Sequence, residues 1–211
     1  MLGATVALGA HARTLDRVLA SVGEQAITTS DVQQEFQFER FLEGLPPVGR
    51  PSQAMQRTLL NRLISRTLLL DDMRKSGIQA HPPQAGARRA LAQIQKRFGS
   101  RARYDDALKT LGMSESEVLK RLETYQETLA YIDRRFQPVT PPSAVQIRTY
   151  YESVFVPQLR AEHRSPPPLA KVEAPIREIL IQKELDQRLK EWLKEMRSSQ
   201  RVHVYGNGST D

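Results

Sequence analysis

Residues 16–35 read DRVLASVGEQAITTSDVQQE, and their reading decides the fold. Arg17 to Val22 reads as a short strand, Gly23-Glu24-Gln25 as a turn, and Ala26-Ile27 as a second extended piece. Thr28, with Asp31 three positions on, has the form of a helix N-cap with an acidic partner. A lone two-stranded hairpin is marginal in water, so a third strand has to come from elsewhere. Val202, Val204 and Tyr205 at the other end of the chain change period from helical to extended. The two ends are therefore expected to meet. Val202 to Tyr205 should pair with the strand around Val18 to Val22, and the last helix should dock on the N-terminal helices.

Everything between the ends reads as helix. The first helix runs from about Thr29 to Glu43, where Gly44 and Pro46-Pro47 stop it. Pro51-Ser52 starts a long second helix ending near Ser76-Gly77. Its leucines at 59, 60, 63, 68, 69 and 70, with Ile64, make it apolar on most sides, as a central core helix is. His81-Pro82-Pro83 opens a third helix reaching Phe98-Gly99, and Tyr104 to Leu111 is a short fourth. Ser114 with Glu117 forms a capping box for the fifth. That helix carries the clearest amphipathic stripe, Val118, Leu122, Tyr125, Leu129, Ile132 and Phe136, at alternating steps of four and three. A sixth helix spans Ser143 to Leu159. After the stiff, extended linker Ser165-Pro166-Pro167-Pro168, a last helix spans Leu169 to Ser198 with the stripe Val172, Ile176, Ile179, Leu185, Leu189, Trp192 and Met196. The fold class is mainly α, a multi-helix core with a small β-sheet formed by N- and C-terminal strands.

Composition narrows the function. The 211 residues are 39% hydrophobic and 26% charged, the balance of a folded globular chain. With no cysteine there is no disulfide framework, thiol nucleophile or cysteine-bound metal. The net charge of +7 favours anionic partners. It is spread over short pairs such as Arg88-Arg89 and Arg134-Arg135, however, and aromatic residues are only 6%, with no stacking cluster among the basic ones. Nucleic-acid binding is therefore not expected. No run is long enough to span a bilayer, so no stable membrane insertion is expected. Residues 1–12, MLGATVALGAHA, end in Ala10-His11-Ala12, which fits the cleavage site of a secretory signal.

No catalytic constellation is visible. His11, His81, His163 and His203 have no second ligand at metal-binding spacing. Asp71-Asp72 and Asp105-Asp106 are adjacent on helices and so point to different sides. No nucleophile elbow, P-loop or dinucleotide fingerprint occurs. No cofactor, metal or catalytic residue is assigned.

The opening resembles that of SurA-type periplasmic chaperones, which begin with a D-x-(I/V)-x-A-x-V segment, a tight turn, and I-T-x-S-D-(V/L) leading into a helix. Asp16, Val18, Ala20, Val22, Ile27, Thr28, Ser30, Asp31 and Val32 fill that pattern. Leu60 to Gly77 resembles the family's long leucine-rich helix, and Phe98 to Val118, with Tyr104 and Leu111-Gly112-Met113-Ser114, its following segment. The resemblance covers about residues 15–160. In that family, isomerase domains of the parvulin type, on the order of 100 residues each, sit before the last helix. Here about Arg160 to Pro168 fills that place. The resemblance thus divides the chain into a signal remnant or disordered segment at 1–14, a SurA N-terminal-like helical domain at 15–160, the linker at 161–168, a completing helix and strand at 169–205, and a tail at 206–211. It implies a periplasmic holding chaperone for unfolded polypeptides, outer-membrane protein precursors above all, without isomerase activity. A peptidyl-prolyl isomerase-related folding factor and a basic nucleic-acid binder are the rival readings.

The first helix offers a candidate client surface. Val32 and Phe36 share one face, while Phe38, Phe41, Leu42 and Leu45 fall nearly opposite at about 100° per residue. A two-layer core uses only one such face. Phe38, Phe41, Leu42 and Leu45 are therefore the candidate client-binding residues, with a homodimer contact or burial under the loop from Gly44 to Pro51 as the other uses of that face.

Overall fold

A computed structural model describes residues 16–78 and 85–205. The signal-like segment 1–12, the proline-rich opening of the third helix at 81–83 and the tail from 206 lie outside these residues. The chain order is β1 (Val18–Val22), β2 (Gln25–Thr28), α1 (Thr29–Leu42), α2 (Gln53–Ser76), α3 (Ala85–Arg97), α4 (Arg101–Leu111), α5 (Glu115–Phe136), α6 (Ala144–Tyr150), α7 (Val156–Ala161), α8 (Leu169–Met196) and β3 (Val202–Val204).

The two ends of the chain meet as expected. The antiparallel sheet has the order β2-β1-β3, with Ala20 opposite Val204 and Val22 opposite Val202. The capping box at Thr28 is formed: the Thr28 amide donates to the Asp31 carboxylate at 2.8 Å, and the Asp31 amide donates back to Oγ1 at 3.3 Å. This joins the hairpin rigidly to α1. Gly44, at φ +77°, reverses the chain after α1 close to α3, and a Cβ there would sit 2.5 Å from the Arg97 Cβ.

The structure has two main core clusters. In the first, Phe38 and Phe41 of α1 pack with Leu91 and Ile94 of α3, with Phe98, with Tyr104 and Leu108 of α4, and with Val118 and Leu122 of α5. In the second, Ala20, Val22, Ile27 and Val32 pack on Leu59, Leu63, Ile64 and Leu68 of α2, covered by Trp192, Leu193 and Met196 of α8. A smaller group, Leu69, Phe136 and Leu185, extends the second along α8. The last helix therefore docks on the N-terminal helices, as the sequence predicts. Arg197 ties it to α2 through the Asn61 side chain and carbonyl and the Ser65 hydroxyl, each at 2.9 Å.

Three helix expectations need correction. α4 begins a turn early because Ser100 caps it, its hydroxyl accepting from the Arg103 amide. The sixth helix is broken into α6 and α7 by a wide π-helical turn at Tyr151–Phe155. Pro157 in the first turn of α7 explains the break. It has no amide to donate to Ser153 and its ring crowds that carbonyl, so the preceding turn opens. On α8, Ile176 and Leu185 are buried, but Ile179 of the predicted stripe is exposed. Among the described residues, no helix is long and apolar enough to cross a membrane.

Candidate functional site

Helix α1 lies between the two clusters. Val32 belongs to the sheet cluster, while Phe38 and Phe41, 5% and 0% exposed, belong to the other. The Phe41 ring lies 5.2 Å from Phe98 and 5.6 Å from Tyr104, centroid to centroid. Phe38 and Phe41 are thus core residues and do not form an open client surface. The expectation fails because it assumed one core where the fold has one on each side of α1. The cover is α3, α4 and α5, not the loop after Gly44. Leu42 is half-buried against the same cluster, and Leu45 is 41% exposed beyond the end of the helix.

Between Val32 and Phe38 sits Glu35, 8% exposed. Its carboxylate accepts from Arg66 of α2, at 3.0 Å to each oxygen, and from Arg121 of α5. The Arg121 guanidinium also lies 3.8 Å from the centre of the Phe38 ring. Burial pulls Arg121 below its ordinary range, and the Glu35 charge opposes that pull. This carboxylate is charge-paired from two helices at once. Its role is to join three helices at the boundary of the two cores. The sequence signal was a glutamate at a core-facing step between Val32 and Phe38.

The acidic pairs are also occupied. Asp71 pairs with Arg74 and Lys75, whereas Asp72 accepts from the Tyr131 hydroxyl at 2.5 Å and faces Arg135. Burial pushes the Tyr131 phenol up. Asp105 pairs with Arg101 and Asp106 with Lys109. Among the described residues, no group of three or more His, Asp or Glu side chains is placed to hold a metal ion.

The unexpected surface is on α5. Val118, Leu122, Tyr125, Leu129, Ile132 and Phe136 share one strip of the helix, about a quarter of its circumference at ~100° per residue. Val118 and Leu122 at its start are buried against α3 and α4. Ile132 and Phe136 at its end are covered by Leu185, Leu189 and Trp192 of α8. The middle is open, with Tyr125 60% and Leu129 44% exposed. Over that stretch the helix buries Thr128 and Tyr131 instead, the Tyr131 hydroxyl reaching Asp72 of α2. Two neighbouring large apolar side chains, one turn apart on α5, therefore lie uncovered between two covered ends.

A family described as the SurA-like N-terminal domain matches residues 4–130. The chain belongs to this family. No curated protein matches it. Membership makes it a chaperone-family protein, in agreement with the resemblance carried by Asp16 to Val32. The match to the SurA-like domain ends within α5. The residues that complete the sheet and cover the second core, Trp192 to Val204, lie beyond it.

Proposed function

We propose that this SurA-like protein is a holding chaperone of the cell envelope. It binds unfolded polypeptides, principally precursors of outer-membrane β-barrels, and does not itself catalyse prolyl isomerisation. The observation that carries this reading is the uncovered middle of the α5 strip, where Tyr125 and Leu129 offer an aromatic and an aliphatic contact without disturbing either core. A few weak apolar contacts suit a holdase, because clients must leave as readily as they arrive. The charge of +7 draws acidic chains at long range. The location rests on the Ala10-His11-Ala12 signal pattern. The absence of isomerase activity is inferred from the short path between α7 and α8, where residues 162–168 run directly into the last helix and the Tyr151 hydroxyl donates to the Pro167 carbonyl at 2.7 Å.

Purified protein should suppress the aggregation of a urea-unfolded outer-membrane barrel diluted into buffer, in a molar-ratio-dependent way. In a proline-peptide turnover assay it should leave the rate at background. Aggregation that proceeds unchanged at excess protein would reject the holding function, and a catalysed turnover would establish the isomerase reading.

A further inference from the structure

The sheet contains a second feature that suits an extended chain, its open edge at β3. The Tyr205 amide donates to the Leu19 carbonyl at 2.9 Å. In the register that sets Ala20 against Val204, this makes residues 203 and 205 the ones whose backbone groups face β1. The C=O of Val202 and both the N–H and C=O of Val204 therefore point the other way, the Val202 N–H closing the π-helical turn at Arg197–Arg201. Among the described residues, no strand lies beside them. The two faces of this edge differ. Val202 and Val204 share the face of the buried Ala20 and Val22, with Val202 packed in the core and Val204 58% exposed where that core ends. His203 and Tyr205 take the opposite, solvated face, where the Tyr205 and Ser21 hydroxyls lie 3.3 Å apart. The other edge, β2, has Gln25 and Ala26 exposed, and its apolar Ile27 is buried.

We propose that β3 takes up a client segment as a fourth strand, and that the segment it selects alternates apolar and polar residues. This deepens the holding function proposed above and depends on it, since the occupant is an unfolded polypeptide. The outward Val202 C=O and the Val204 N–H and C=O lie at the two-residue hydrogen-bonding period of an added strand. On an added strand, the side chains beside Val202 and Val204 fall on the apolar face, and those beside His203 and Tyr205 fall on the solvated face. The fit is therefore to a period-two pattern. Such a pattern also characterises the strands of membrane β-barrels, so the edge discriminates for barrel precursors over chains of helical period. The main-chain bonds supply affinity without reading individual side chains, as a general holdase requires.

The test uses the full chain and a fluorescent eight-residue peptide alternating valine and threonine, flanked by glutamates. Val204→Pro removes one outward donor and crowds the edge while leaving the bonds to β1, because proline is tolerated where an edge N–H faces solvent. Its melting temperature should match the parent, and peptide affinity should fall about tenfold with the loss of main-chain bonds. The same peptide N-methylated at alternate amides should bind the parent protein about tenfold more weakly, a readout independent of any folding defect. Equal binding of the methylated peptide overturns the proposal, as does undiminished binding by a folded Val204→Pro. Dimers of the parent that Val204→Pro dissolves also overturn it, because the edge then belongs to a second copy. A parent that holds the unfolded barrel but ignores the peptide overturns strand addition and leaves the holding function standing. A parent that does neither removes both.

Discussion

The two main cores of this molecule are built in opposite ways. The cluster around Phe41 joins α1, across the intervening α2, to the three consecutive helices α3, α4 and α5, all within residues 38 to 122. The cluster around Ile64 joins Ala20 to Val202, nearly the full span of the sequence. The first is complete once α5 has formed, whereas the second needs the last helix and strand to return across a much longer loop closure. The difference teaches that the matched family region does not account for the whole fold. Removing the return should affect one core far more than the other.

That contrast is sharpest in a truncation. Ending the chain after Ser165 removes Ile176, Leu185, Trp192 and β3. Each buried side chain is worth roughly 1.5–3 kcal/mol, and together they rival the stability of a whole domain. Circular dichroism should show no cooperative melt of the sheet core. A truncated protein melting at the full-length temperature would mean that the ends do not support each other.

Within the local core, Phe41→Ala should cost about 3–5 kcal/mol, because the site is closed on all sides and leaves a cavity. Denaturant titration measures it. A loss under ~1 kcal/mol would place Phe41 at a surface after all. At the boundary, Glu35→Gln leaves Arg66 and Arg121 without their common carboxylate. Both arginines are partly solvated, so the cost should be about 1–3 kcal/mol and not the larger figure for a sealed pair. Coupling between the cores should weaken with it, seen as a broader transition. Away from both cores, a flexible insertion between the exposed Ser165 and the half-buried Pro166 should cost only about 0.6 kcal/mol per doubling of loop length. Loss of folding there would make the linker a structural element.

Much of this was readable from the sequence, and the failures follow a pattern. The capped hairpin, the helix order and the meeting of the ends were legible because each rests on local chemistry: Thr28 with Asp31, Ser114 with Glu117, and the change of period at Val202. Burial of particular faces was not. Phe38 and Phe41 looked like a surplus face, since sequence periodicity shows that a helix has two apolar sides but not that a core lies against each. The exposure of Tyr125 and Leu129 was hidden for the converse reason. Their stripe is continuous in the sequence, whereas its cover comes from two separate elements that do not meet over them. The Glu35 junction depends on arginines 31 and 86 positions away, a distance at which sequence spacing carries no information.

The central claim, that the gap in the α5 strip holds unfolded chains, is tested most directly by Tyr125→Asp combined with Leu129→Asp. Both side chains are exposed, so the carboxylates stay in water and stability should change by less than about 0.5 kcal/mol. In light scattering with a diluted, urea-unfolded outer-membrane barrel, the double variant should keep the parent's melting temperature and lose most of its suppression of aggregation. A variant that is equally stable and suppresses aggregation as well as the parent would contradict the account.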